Sequence, residues 1–76
     1  MTGDRQRRLK RLLRATRRFP ASRQGLLRRA LRLTQQALAG NAEDRDAMLW
    51  LGILWWELGA RRRGKEILGE LIVNSE

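Results

Sequence analysis

The sequence predicts an all-α fold of four short antiparallel helices. Apolar residues recur at three- and four-residue intervals, and no segment alternates with period two over the length of a strand. Stop signals fall at Pro20, Gly40-Asn41 and Gly59, so each periodic stretch is bounded. The connections are short enough that neighbouring helices should run antiparallel. Residues 1–76 are expected to form one helical domain, near the size at which a single core barely suffices.

The first helix, expected over 1–18 with Asp4 as its cap, places Leu9, Leu12, Leu13 and Thr16 on one stripe that Phe19 closes. Arginines fill the rest of its surface, and their mutual repulsion makes it weak in isolation. Pro20 disfavours helical geometry at Phe19 and breaks the chain there. Ser22 is the expected cap of a second helix over 22–39, whose apolar set is Leu26, Leu27, Ala30, Leu31, Leu33, Ala37 and Leu38. A third helix over 45–58, capped by Asp44 or Asp46, holds all three tryptophans. Apolar residues cover every face of it from Met48 to Trp56 except at Gly52, and Trp50 and Trp56 point in different directions. A fourth helix over 60–73 should bury Ile67, Leu68, Leu71 and Ile72.

The net charge of +9 is unevenly placed. Residues 1–34 carry eleven arginines and one lysine against one aspartate, a surplus of +11, whereas residues 35–76 carry −2. Arginine outnumbers lysine fifteen to two, and arginine is the better bidentate partner for phosphate and carboxylate. The candidate basic patch is Arg5, Arg7, Arg8, Arg11, Arg14, Arg17 and Arg18 on the first helix with Arg28, Arg29 and Arg32 on the second. Four uses are open to it: an acidic protein partner, nucleic acid, a membrane surface, or a solvated end cap. The absence of an aromatic within the first helix weakens base stacking, and its short leucine stripe without tryptophan weakens membrane docking.

No catalytic site is expected. There is no cysteine or histidine, so thiol chemistry, disulfides and ordinary zinc ligation are excluded. Ser22 and Ser75 have no histidine to activate them and sit at helix ends as caps. Glu43, Asp44 and Asp46 cluster at a helix start, where the macrodipole favours negative charge. Glu57, Glu66 and Glu70 are expected to pair with Arg61 and Lys65 on a solvated face. Gly59, Gly64 and Gly69 lack the Gly-Lys-Ser/Thr ending of a phosphate loop. No cofactor or metal is therefore expected. The N-terminus runs into charge rather than an apolar leader segment. The apolar run at 47–56 is about half the roughly 20 residues a membrane span needs. A soluble, cytoplasmic protein is the expectation.

The third and fourth helices carry Leu51-Gly52, Trp55, Gly59, Gly64 and Leu68 at spacings that resemble the tetratricopeptide repeat, a 34-residue helix–turn–helix unit. Small residues at 52 and 64 would let two backbones approach while Trp55 and Leu68 fill the space beside them. The resemblance covers residues 45–73, and 24–44 in part: a 34-residue step aligns Ala30 with Gly64, Ala37 with Leu71 and Leu38 with Ile72. Strict register would carry a helix through Phe19-Pro20; Leu71 replaces a small residue, and Glu76 stands at the closing proline. A generic four-helix bundle is the alternative.

The resemblance implies a protein-binding groove lined by the first helix of each repeat, here Asp46, Leu49, Ile53, Trp56 and Glu57. Leu49 replaces the polar residue with which clamp-type members hold a peptide carboxylate, so an apolar helix or segment is the expected ligand. Repeat arrays of about two units need a partner or a second copy for stability. A small adaptor or chaperone, dimeric or complexed, is thus expected, with nucleic-acid binding through the basic first helix as the alternative.

Overall fold

In the computed structural model, which describes residues 1–73, four α-helices follow one another: α1 (Gly3–Arg18), α2 (Arg23–Gly40), α3 (Arg45–Glu57) and α4 (Arg61–Val73). Ser75 and Glu76 lie outside the described residues. A 3-10 turn at Pro20–Ser22 joins the first two helices. No strand occurs among the described residues.

The helix ends follow local chemistry, in part through residues other than those expected. Thr2, not Asp4, caps α1, its Oγ1 accepting from the Arg5 N–H at 3.3 Å, while Asp4 sits in the first turn. Phe19 leaves the helix at φ −127°, ψ 75° ahead of Pro20. It lies 57% exposed, so it does not close the apolar stripe as expected. Ser22 precedes α2 without a side-chain cap bond. Asn41, in extended geometry, stops α2, and its Oδ1 accepts from the Glu43 N–H at 3.1 Å. At the end of α3 the Gly59 N–H donates to Trp56 O at 3.1 Å and the Ala60 N–H to Trp55 O at 2.9 Å. This is a Schellman motif, and it requires the left-handed φ of +98° that Gly59 adopts.

The helices alternate in direction. Arg23 at the start of α2 meets Glu57 at the end of α3, and Arg45 at the start of α3 reaches Leu71 O near the end of α4. Gln6 and Asp46 bring the beginnings of α1 and α3 together. Packing runs α1 on α2, α2 on α3, and α3 on α4, and among the described residues α4 does not return to α1. The result is an open row of packed helix pairs rather than a closed bundle, 38 × 27 × 18 Å in extent.

The core belongs to the first three helices. Leu9 of α1, Leu27 and Ala30 of α2 and Leu54 of α3 are fully buried together, with Trp50 and Leu58 packed on their edge. Thr34, buried on α2, satisfies its hydroxyl by donating to Ala30 O at 2.9 Å. Helix α4 adheres separately, through a glycine crossing. A Cβ on Gly64 would lie 2.8 Å from Gly52 O and 3.0 Å from Trp56 N, and one on Gly52 would lie 2.8 Å from Leu68 Cγ. Ile67, Leu68 and Leu71 are half-buried along this contact. Ile72, expected inside, is 68% exposed; among the described residues α4 packs on α3 alone.

Asp44 ties the start of the chain to α3. One carboxylate oxygen accepts from the Ala47 N–H at 3.1 Å as the N-cap, and the other pairs with the Met1 ammonium group. That ammonium group, and secondarily the backbone donors, hold the Asp44 carboxyl below its ordinary pKa despite its burial. A carboxyl whose folded pKa is depressed contributes stability above its unfolded pKa, and that contribution is lost as pH falls through the folded value. Thermal midpoints should therefore drop below about pH 4 in the wild type and drop less in Asp44→Asn, which keeps a capping oxygen but not the charge. Asp44→Ala should cost about 1 kcal/mol at neutral pH by thermal denaturation.

Candidate functional site

Helix α3 places Asp46, Leu49, Ile53, Trp56 and Glu57 at helical spacing along one side. Its opposite residues, Ala47 and Leu54, are buried by the rest of the domain, and α4 packs across Gly52. The remaining strip is therefore the surface that two flanking helices leave uncovered. Leu49 is 45% and Trp56 37% exposed, and Ile53 is half-buried between them. Trp50, by contrast, packs against the core, so the two tryptophans do point apart as their spacing requires.

The two acids bracket this strip, and each is held from another helix. Asp46 Oδ2 accepts from Gln6 Nε2 at 3.2 Å. Glu57 accepts from Arg23 Nη2 at 2.6 Å, and the same guanidinium donates to the Glu57 carbonyl at 3.1 Å. Glu57 is thus tied to α2 and not to Arg61 or Lys65 as periodicity within the C-terminal half predicted. Arg61 instead stacks over the Trp56 ring at 5.5 Å, and Arg63 over Trp55 at 4.7 Å. Glu66 likewise pairs not with Arg61 or Lys65 but with Arg62, at 3.8 Å.

A shallow hollow of about 320 Å³ opens at the end of the strip, lined by Ile53, Trp56, Glu57 and Leu68. Leu68 comes from α4 and was read in the sequence only as repeat packing. Its role at the edge of the hollow arises because the glycine crossing draws α4 close enough for its side chain to border α3. Arg61, read in the sequence as a partner for a carboxylate, is turned instead onto the Trp56 ring by the bend at Gly59 that separates α3 from α4.

The basic patch divides. Arg8 and Arg11 of α1 converge with Arg29 and Arg32 of α2 on a groove of about 440 Å³. Arg28 joins Arg29 and Arg32 around an adjoining hollow. Arg7 pairs with Asp4 at 3.5 Å and Arg5 is half-buried, while Arg14, Arg17 and Arg18 are exposed outside the groove.

No helix among the described residues is long and apolar enough to cross a membrane. Comparison with protein-family models, with curated proteins and with solved structures returns no match.

Proposed function

We propose that this protein is a protein–protein interaction module, a small cytoplasmic adaptor or chaperone with tetratricopeptide-like helix pairs. It binds an apolar helix or extended segment of another chain, a second copy of itself included, across the α3 strip. The observation that carries this reading is the partial exposure of Leu49 and Trp56 on a helix whose other sides are occupied. A tryptophan and a leucine left partly exposed beside a hollow gain burial from a partner that covers them, and aromatic anchors of this kind dominate interface energies. The α3 axis, 13 residues, is about 20 Å long and suits a ligand of about three helical turns. No carboxylate clamp is invoked, because Leu49 occupies the clamp position.

Leu49→Asp is the sharpest test. Its side chain is about half in solvent, so folding should weaken by only about 1 kcal/mol and the domain stays folded, whereas association should weaken by tenfold or more. Sedimentation across a concentration series reads self-association, and quenching or shift of Trp56 fluorescence on adding an apolar amphipathic peptide reads ligand binding, with Trp56→Phe as the control. A protein that stays monomeric and whose emission no such peptide alters would rule the proposal out.

A further inference from the structure

We infer that the groove between α1 and α2 is a second binding site, which takes an acidic protein segment bearing leucine-like side chains. Two walls of arginine face each other across it: Arg8 and Arg11 on one helix, Arg29 and Arg32 on the other. Among the described residues none of the four pairs with a carboxylate, although Arg7, Arg23 and Arg62 on the same molecule do. Four unneutralised guanidinium groups around one cleft repel one another, and an anionic ligand removes that repulsion.

The floor determines which kind of anion fits. Leu12 and Leu33 line the groove and are each half-buried, so an aliphatic side chain entering between the arginine rows gains burial there. A phosphodiester backbone has no such group to offer. No aromatic lines either this groove or the adjoining hollow, so unpaired bases would find no stacking surface. Within each wall the arginines are three residues apart, about 4.5 Å along the axis, a spacing that carboxylates one turn apart on a ligand helix can meet from both sides. The site is separate from the α3 strip and does not depend on it.

The probe is a fluorescein-labelled, helix-favouring peptide of about 15 residues, with two leucines one turn apart edged by glutamates. Anisotropy should show saturable binding. Arg29→Ala/Arg32→Ala should weaken it by roughly tenfold or more, while Arg17→Ala/Arg18→Ala, which removes the same charge outside the groove, should change it less than about twofold. Replacing the peptide leucines by serine should abolish most of the affinity, and Leu49→Asp in the protein should leave it unchanged. Circular dichroism establishes that each variant is folded. Equal losses in the two arginine double variants, indifference to the peptide leucines, sensitivity to Leu49→Asp, or tighter binding of single-stranded or duplex DNA at the same salt would each overturn the assignment.

Discussion

Gly64→Ala is expected to destabilise this protein by about 2 kcal/mol, lowering the thermal midpoint by roughly 10–15 °C. An alanine for a glycine in a helix interior ordinarily gains up to about 1 kcal/mol, so the sign itself is diagnostic. The added methyl would meet backbone, Gly52 O at 2.8 Å and Trp56 N at 3.0 Å, and neither atom can turn aside as a flexible side chain would. The helices must separate, and the half-buried Ile67, Leu68 and Leu71 then lose contact with α3. Gly69→Ala is the matched control: nothing lies within 4 Å of its added Cβ, and stability should rise by about 0.5–1 kcal/mol. Thermal denaturation followed by circular dichroism compares the two directly. The same displacement withdraws Leu68 from the hollow beside Trp56, so apolar ligand binding should weaken in Gly64→Ala even where the domain remains folded.

Leu54→Ala should cost still more, about 3 kcal/mol in denaturant titration. Leu54 is fully buried where α1, α2 and α3 meet, against Leu9, Leu27 and Ala30. Truncation there removes apolar surface and leaves a cavity that three helices border, so no single one can collapse to fill it. A domain of this length has about 4–11 kcal/mol in total, and losing roughly a quarter to three quarters of that brings unfolding closer to physiological temperature. Leu49→Ala, five residues earlier on the same helix, should cost only about 1 kcal/mol, because about half of that side chain is already in solvent. The contrast between these leucines separates the part of α3 that holds the domain together from the part offered to a partner.

Much of the fold was legible because its causes are local. Asp44 at a helix start, Pro20 after Phe19 and Gly59 at a left-handed position each act within one turn of chain, and each marks the boundary at which the helix ends or begins. Capping by Thr2 in place of Asp4 is a one-turn ambiguity, since both side chains can bond a nearby backbone N–H. The small residues at 52 and 64 pointed to a close crossing, and the backbones do meet there. Ile72 was misplaced for a different reason. Its spacing matches the apolar face of α4, but periodicity records which residues share a face and not how much of each a neighbouring helix covers.

The candidate sites were legible only in outline. The side of α3 carrying Leu49, Ile53 and Trp56 follows from 3.6-residue spacing, and so do the arginine rows on α1 and α2. Their joining partners come from elsewhere in the chain: Arg23 to Glu57, Gln6 to Asp46, Arg61 to Trp56, and Leu68 to the hollow.

From the sequence alone came the four helices, their stops and the charge asymmetry between the halves, while the glycine pair of the close crossing was what the repeat resemblance implied. Helices and stops depend on interactions within a turn or two, where residue type and spacing fix the outcome, and the charge asymmetry is composition alone. Only the tertiary structure decided that the row stays open, that among the described residues α4 packs on α3 alone, that Leu49 and Trp56 remain partly exposed, and that four arginines line one groove. Those outcomes depend on the order and angle in which helices stack, and that choice is made by the shared burial of side chains from separate helices, which no single helical face encodes.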